Sequence, residues 1–513
     1  TVHQPGKTTL DASAPAADVT VGPNNAVRTA MLSGGVTVNT NGADNVQARA
    51  GKLLFNFTGG NRVENVHAAD GVHLVQQPAR ARTARPVEMQ SEAMDFHVRN
   101  GRVLTDAFTS GPAEITVGTA ATVGSAASVG PAASVGPAAL SRSEDKTLVT
   151  AGQFHASFRN NHLSTVTGSP NAKIVITAPG QPDKTSTSDR VDVAFAPTGG
   201  IASLVQQGSF HYLEPSPTQR REAWADKATY AAGQSAADVL KLTGSPRLVE
   251  GATTTTADSM EISRTTGDAF ANGNVKTTYS ELKSQPGGAL LASADPIHIT
   301  GASMTAHRSS GTASYHNARL WQGSNVIQAP LIEFRREPRE VLAKGDPSYT
   351  VTTVFVEQDK NGKQTLINLT AASLTYADAT RQARFEGGVT MKGADATVTA
   401  KRLDIFLKPS VAPAAPSRGE SPLSRSESSP SQLEKAVASG GVVIQTPTRR
   451  ATGENLTYSA PEGKFVLTGG SPSIFDAEHG NITGDSLTFF QHDDRVLVES
   501  RNSPTITRTR VAK

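Results

Sequence analysis

Apolar side chains recur at every second position along much of this chain, and this spacing constrains its fold more than any other feature. Val191, Val193 and Phe195 share one face of the stretch RVDVAFAP, and Leu403 and Ile405 share one face of KRLDIFLKP. Successive side chains of a β-strand point to opposite sides, so the spacing predicts strands with one apolar and one polar face. Gly, Pro, Asn and Asp separate these strands, and helical periodicity is rare. The sequence therefore predicts an all-β protein.

A loose internal repeat accompanies the strands. The stretches STVTGSP, LKLTGSP and VLTGGSP contain Gly168, Gly244 and Gly469, of which the first two are 76 residues apart and the last two 225 residues apart, about three times as far. A Gly-Val or Asn-Val step also recurs at the start of strands, at Val36, Val72, Val275, Val389 and Val442. Gly and Pro together end one strand and direct the next. We therefore interpret the TGSP stretches as repeated structural corners in a tandem of similar β units.

Two stretches of biased composition divide the predicted units. One repeats Ser-Val-Gly-Pro-Ala-Ala, and the other is rich in Pro and Ser. Neither contains side chains that could build a core, so both are typical of flexible segments. The predicted organisation is a β unit at 1–115, a flexible insert at 116–145, β units at 146–290 and 291–408, a linker at 409–432 and a C-terminal β unit at 433–513.

Composition and motifs exclude several kinds of function. The chain has no cysteine, which excludes disulfides, a thiol nucleophile and Cys-ligated zinc. Its 49 Lys and Arg residues nearly balance 46 Asp and Glu residues, without a basic cluster typical of nucleic-acid binding. The sequence lacks the Gly-x-Ser-x-Gly, Walker, His-Glu-x-x-His and Gly-x-Gly-x-x-Gly motifs. We expect a protein that is not an enzyme, holds no metal or cofactor and does not bind nucleic acid.

The last 80 residues carry an ordered set of features. A Gly-Val strand at Gly441–Val442 is followed by an alternating stretch at Ala451–Tyr458, then by KFVLTGGSPSI, by Ile482–Phe489 and by a strand at Asp494–Val496. This order resembles the OstA-like domain of the lipopolysaccharide-transport bridge proteins of the LptA and LptC type. Weaker copies of the pattern cover most of the remaining chain.

The resemblance implies a fold, a function and partners. The implied fold is a series of tandem OstA-like β-jellyroll (β-taco) units, stacked into an elongated assembly with an open slot. The implied function is that of a periplasmic bridge protein that shields the acyl chains of lipopolysaccharide, or lipid A, during export to the outer membrane. The implied partners are an inner-membrane ABC transporter, an outer-membrane translocon and further copies of the chain, joined head to tail through edge strands. The chain would be a soluble periplasmic protein or one anchored to the inner membrane by a segment upstream of Thr1.

The resemblance also implies which side chains line the slot. The candidates are apolar residues on the inward faces of strands, namely Leu456, Tyr458, Phe465, Leu467, Leu487, Phe489, Leu403, Ile405, Leu374, Tyr376, Val193 and Phe195. A filled β-sandwich would bury the same residues, so alternation alone leaves a slot and a packed core both open. The alternative function is a structural or adhesive β-solenoid scaffold without a ligand. We expect the two tryptophans, Trp224 and Trp321, to lie in the core or in the slot wall.

Overall fold

A computed structural model of the chain describes residues 2–4, 9–41, 45–59, 61–77, 86–118, 146–196, 200–216, 220–231, 239–263, 265–280, 295–358, 364–407, 433–478, 480–490, 493–500 and 506–508. The described residues form β-strands joined by turns, with one short 3₁₀ helix at Pro23–Asn25. The all-β prediction is confirmed. The predicted insert at 116–145, apart from its first three residues, and the whole predicted linker at 409–432 lie outside the described residues.

The chain folds into two compact units, Thr1–Gly251 with Glu261–Thr265 and Ala252–Met260 with Thr266–Lys513. The predicted boundaries between four β units stay predictions. The first unit contains the strands β1 (Val2–Gln4), β2 (Thr9–Ser13), β3 (Ala16–Val21), β4 (Val27–Asn41), β5 (Asn45–Thr58), β6 (Arg62–Ala69), β7 (Val72–Gln77), β8 (Val87–Ser91), β9 (Met94–Arg99), β10 (Val103–Thr109), β11 (Ala113–Val117), β12 (Lys146–Ala151), β13 (Gln153–Arg159), β14 (His162–Ser169), β15 (Ala172–Thr177), β16 (Lys184–Ser188), β17 (Arg190–Phe195), β18 (Ile201–Glu214), β19 (Arg221–Ala231), β20 (Val239–Thr243) and β21 (Arg247–Glu250).

The second unit is built in the same way. Its strands are β22 (Thr253–Thr256), the first part of β23 (Ser259–Ser263), β24 (Ala269–Tyr279), β25 (Ile297–His307), β26 (Thr312–Gln322), β27 (Asn325–Arg335), β28 (Glu340–Lys344), β29 (Val351–Gln358), β30 (Gln364–Ala371), β31 (Ser373–Ala377), β32 (Gln382–Lys392), β33 (Thr397–Leu407), β34 (Leu433–Gln445), β35 (Arg449–Ser459), β36 (Lys464–Thr468), β37 (Ser473–Asp476), β38 (Gly480–Thr483), β39 (Ser486–Phe490), β40 (Asp493–Glu499) and β41 (Ile506–Arg508).

Long strands bend and contribute to two sheets, which we call sheet A and sheet B within each unit. In β34, the residues before a bulge at Gly440–Gly441 pair with the second half of β35, and the residues after it pair with the first half. The second half of β35 pairs onward with β36, and its first half pairs onward with β37. Sheet A therefore continues through β36, β39 and β40, and sheet B through β37, β38 and β41.

The same bend recurs along the chain. Register shifts fall at corresponding places in β4, β18, β24 and β32. The valines of the Gly-Val and Asn-Val steps are all buried. Val36, Val72, Val275, Val389 and Val442 are at most 3% exposed. Val36, Val275, Val389 and Val442 directly follow a register shift and anchor the bend from inside, whereas Val72 begins β7 after a turn. The recurring Gly-Val step is the sequence signature of a β-bulge that turns a long strand from one sheet into the other.

The TGSP stretches are also corners, as predicted. At Gly244–Pro246 the chain leaves β20 in sheet A and enters β21 in sheet B, and at Gly469–Pro472 it passes in the same way from β36 to β37. Gly168 acts differently, because it lies within β14 directly opposite Phe154. A Cβ atom at Gly168 would stand 2.4 Å from the Phe154 ring, so the missing side chain makes room for that ring.

One bulge offers a sharp test of the bend. Gly387 has φ +84°, and a Cβ atom there would lie 2.5 Å from the Cβ of Ala372. Gly388 has φ +86° but open space around it. We expect Gly387→Ala to lower the free energy of unfolding by about 2–4 kcal/mol, through positive φ plus a clash, and Gly388→Ala by about 1–2 kcal/mol through φ alone. Urea unfolding of the full chain measures both, and equal losses would contradict the close contact.

The two sheets of each unit pack through their inward faces. In the first unit a single cluster of buried residues joins both sheets, with Leu53, Met94 and Val193 from sheet A and Met89 and Ile115 from sheet B. This shared core explains why apolar and polar side chains alternate along each strand, since only one face of each sheet is turned inward.

In the second unit, three pairs of aromatic rings link the two sheets. Tyr279 of sheet B meets Tyr315 of sheet A with their hydroxyl oxygens 3.3 Å apart, and its ring centroid lies 4.9 Å from that of Phe334. Phe355 of sheet B meets Phe385 of sheet A at 6.2 Å between centroids. The middle of this unit is therefore a closed, packed sandwich.

Candidate functional site: an inward apolar face

Two neighbouring rows of side chains cross the inward face of sheet A in the second unit. Cross-strand pairing defines each row, one residue per strand. The deep row, nearer the bend, contains Ala271, Met304, Tyr315, Ile332, Ala343, Leu374, Phe385, Leu403, Ala438, Leu456, Leu467 and Leu487. The outer row contains Ala269, Ala306, Ala313, Phe334, Val341, Tyr376, Ala383, Ile405, Ala436, Tyr458, Phe465 and Phe489.

The structure brings ten of the twelve predicted slot residues together in these two rows. Leu374, Leu403, Leu456, Leu467 and Leu487 belong to the deep row, and Tyr376, Ile405, Tyr458, Phe465 and Phe489 belong to the outer row. The other two, Val193 and Phe195, lie on β17 in the first unit. Alternation thus identified the correct face on every one of these strands.

The twelve predicted slot residues differ in how deeply they are buried. The five leucines of the deep row are at most 4% exposed, and Tyr376, Ile405 and Val193 are also buried. These eight side chains form packed core. Tyr458, Phe465, Phe489 and Phe195 are half-buried. Only these last four present apolar surface that an occupant of the inward face can reach.

The exposure of the outer-row side chains changes along the second unit. Phe334, Val341, Tyr376 and Ala383 are at most 1% exposed, whereas the C-terminal members of the row are half-buried. The interior is therefore filled in the middle of the unit and accessible towards its C-terminal strands.

The accessible part of the row is an aromatic ladder, which we define as Tyr458, Phe465 and Phe489. The rings of Tyr458 and Phe465 stack with centroids 4.4 Å apart and an interplanar angle of 27°, and those of Phe465 and Phe489 with centroids 5.0 Å apart and an angle of 8°. Offset stacking of this kind holds rings in fixed positions. The ladder is a continuous apolar wall across three neighbouring strands.

A cluster of three polar side chains lies beside the buried part of the outer row. The Tyr376 hydroxyl donates a hydrogen bond of 2.5 Å to Asp378, and Arg339 lies 3.1 Å from the same carboxylate. The side chains of Arg339 and Asp378 are only 9% and 10% exposed. Burial raises the pKa of Asp378 above its ordinary value, against the opposing effect of the Tyr376 hydrogen bond and the Arg339 charge. This buried ion pair caps the packed segment at the hairpin ends.

The first unit carries a second accessible inward face, which period-two spacing also indicated but which was not among the predicted residues. Phe55, Val66 and Phe96 form consecutive members of one row across β5, β6 and β9, and all three are half-buried. Phe158 and Tyr230 are further half-buried side chains that pack against the core of that unit. The stretches KLLFNFT and FHASF contain this signal in their alternating apolar residues.

The prediction that both tryptophans lie in the core or the slot wall is wrong. Trp224 neighbours Ala223, a fully buried inward residue, and therefore faces outward, where His211 stacks on it at 5.0 Å and Arg247 lies 5.1 Å from its ring centroid. Trp321 likewise follows the buried Leu320. Neither tryptophan lies in the core or the slot wall, because alternation places each on the polar side of its strand.

Side chains that could ligate a metal ion are dispersed through the part of the chain that the structure describes. No group of three or more His, Asp or Glu side chains there is arranged to hold a metal ion. Within the same residues, no helix has the length and hydropathy needed to cross a membrane.

The region that contains the aromatic ladder matches a known protein family. Residues 368–495 match the family model of the LptA/(LptD N-terminal domain) LPS transport protein. This segment is OstA-like. The match confirms the resemblance found in the sequence, begins well before the predicted C-terminal unit and runs across the predicted linker. It contains all ten predicted residues of the second unit, including the aromatic ladder. At the level of the family, it supports involvement in lipopolysaccharide transport. A search of curated proteins found no match to the chain.

Proposed function

We propose that this chain is a non-enzymatic periplasmic lipid carrier that shields the acyl chains of lipopolysaccharide on its inward apolar faces during export to the outer membrane. The observation that carries the proposal is the aromatic ladder, a half-buried apolar wall inside the segment that matches an LPS-transport family. A soluble protein rarely leaves aligned inward rings accessible without an apolar occupant.

The physical chemistry of the ladder suits an acyl chain. Each methylene group that leaves water contributes about 0.8 kcal/mol, and this attraction has no preferred direction. An acyl chain can therefore bind along Tyr458, Phe465 and Phe489 without a specific polar contact, and it can slide without meeting a deep minimum. Energy for directional movement would come from an inner-membrane ABC transporter, and the chain would deliver its cargo towards an outer-membrane translocon.

The terminal strands suit assembly into a bridge. Among the described strands, β3 pairs only with β4, and β40 pairs only with β39. Val19 and Val21 of β3 are 56% and 53% exposed, and Leu497 of β40 is 57% exposed. Free strand edges of this kind accept further strands. We propose head-to-tail contact through these edges, either with other copies or with other bridge proteins.

Photo-crosslinking tests the carrier function. A photoreactive amino acid replaces, in separate variants, the ladder residue Phe489, the neighbouring outward residue Thr488 and the deep-row residue Leu487. With lipopolysaccharide present, we expect lipid adducts from position 489 and few from positions 488 and 487, because only Phe489 is both inward and accessible. Equal labelling at 488 and 489, or none at 489, would contradict the proposal.

A scaffold without a ligand is the second candidate, and one observation favours it. The rows from Phe334 to Ala383 are packed to 0–1% exposure, as a filled sandwich requires. A β-solenoid in the sense of a parallel coil is not what the described strands form, because the pairings between them are antiparallel. The absence of adducts from position 489, with a folded protein, would favour the scaffold.

A further inference from the structure

The hairpin tips of sheet A in the first unit carry a group of arginines without acidic partners. Arg62 lies at the tip between β5 and β6, Arg99 and Arg102 at the tip between β9 and β10, and Arg159 at the tip between β13 and β14. All four are exposed, and none forms an ion pair among the described residues. We call them the tip arginines.

The tips are held against one another. A Cβ atom at Gly101 would lie 3.3 Å from the Cβ of Arg62, so the first two tips are in contact. The backbone N–H of Leu104 donates a 2.8 Å hydrogen bond to the Asn161 side chain, which ties the second tip to the third. Strands lie about 4.8 Å apart, so adjacent tips stand about 10 Å apart and present their charges along one edge.

A shallow cavity of about 670 Å³, open to solvent, is lined by residues of the first two tips. Arg62, Arg99 and His97 line it, together with one carboxylate, Glu64. Val63 and Val98, which are half-buried, also line it. The cavity therefore combines a local excess of positive charge with apolar side chains from strands of sheet A.

At the tip between β27 and β28 in the second unit, arginines close to acidic side chains show a different arrangement. There, Arg335 lies 2.8 Å from Glu340, and Arg339 lies 3.1 Å from Asp378. Two arginines at that tip are thus neutralised by acids of the same unit, whereas Arg336 between them is exposed and forms no ion pair among the described residues. The tip arginines of the first unit lack this neutralisation, which leaves their donors available to an anion.

We propose that the cavity between Arg62 and Arg99 binds a phosphate of the lipopolysaccharide headgroup while the acyl chains lie on the inward face of the same sheet. This inference rests on the proposed carrier function and adds a site for the polar end of the cargo. Arginine suits it because the guanidinium donates two parallel hydrogen bonds to a phosphate. Arg102, at the same tip as Arg99, and Arg159, at the next tip, extend the positive edge towards a second phosphate.

Binding of defined lipids to the full chain tests the site. The variant R62Q/R99Q removes two charges from the cavity, and the control R336Q/R450Q removes two exposed charges elsewhere. The probes are bisphosphorylated lipid A, the same acylated disaccharide without phosphates, and inorganic phosphate. We expect the native chain to prefer the phosphorylated lipid by about tenfold, R62Q/R99Q to lose this preference, and the control to keep it.

Each outcome has one meaning for the site. A preference that survives in R62Q/R99Q, or that disappears equally in the control, would overturn the proposal. Inorganic phosphate binding that depends on Arg62 and Arg99, without any preference between the two lipids, would mean a free-phosphate site and would also overturn the headgroup assignment. If the lipid without phosphates binds to none of the proteins, the carrier function itself fails, whatever the phosphate result. Because both substituted side chains are exposed, thermal unfolding should remain within a few degrees of native.

Discussion

Replacing Leu487 with Ala is expected to lower the free energy of unfolding of the chain by about 2–5 kcal/mol. Leu487 is 0% exposed and lies between Leu467 and Val498 in the packed deep row. Truncation leaves a cavity that surrounding strands, fixed by their hydrogen bonds, cannot fill. Urea unfolding followed by circular dichroism measures the loss.

The control for this substitution lies on the next strand. Leu497 of β40 has the same side chain but is 57% exposed and faces outward. We expect Leu497→Ala to change stability by less than about 0.5 kcal/mol. Similar effects at both positions would mean that the deep row is not packed as described.

The second large effect concerns lipid binding. Changing Tyr458, Phe465 and Phe489 together to Ser should weaken binding of an acylated lipid at least about 100-fold. The three rings supply the accessible apolar wall, and loss of each contributes about 1.5 kcal/mol or more to the lost affinity. Fluorescence titration with a lipid that carries a labelled acyl chain measures the change.

The matched control removes apolar side chains from the opposite face of one ladder strand, β36, and of the adjoining strand β40. Val466→Ser with Leu497→Ser alters outward residues of β36 and β40. We expect this variant to bind lipid as the native chain does. If the triple variant is too unstable to purify, Phe489→Ser alone, at the end of the ladder, should still weaken binding about tenfold. Unchanged binding in a folded ladder variant would contradict the carrier function.

Much of the fold could be predicted from the sequence, because strand geometry is a local property. Period-two spacing correctly predicted the face of Leu403 and Ile405, and the Gly-Val steps correctly marked recurring structural positions. The TGSP stretches were correctly predicted as corners. The OstA-like character of the C-terminal region was visible in the order of its features, and the family match confirms it.

Depth within the sandwich could not be predicted in this way. Leu487 and Phe489 have the same spacing and the same apolar character, yet one is fully buried and the other half-buried. Their difference depends on what the facing sheet places opposite them, which is a long-range property. The sequence therefore grouped core residues and accessible residues into one predicted slot.

The tip arginines show a second limit of prediction from the sequence. Arg62, Arg99 and Arg159 are far apart in sequence and form no basic run, so a search for charge clusters passes over them. They approach one another because antiparallel hairpins of similar length end along one edge of the sheet. The tryptophans illustrate the reverse case. Trp224 and Trp321 were expected in the core or the slot wall, although the spacing of the buried residues beside them places both on the outward side.

The central claim is that acyl chains lie on the accessible inward rings and not in the packed rows. The most direct measurement is a crystal structure of the chain with lipid A whose acyl chains carry terminal bromine atoms, located by their anomalous scattering. The account predicts bromine within van der Waals distance of the Phe465 and Phe489 rings, and none between Leu467 and Leu487. Bromine only on outward surfaces, or no bound lipid at saturating concentration, would contradict it.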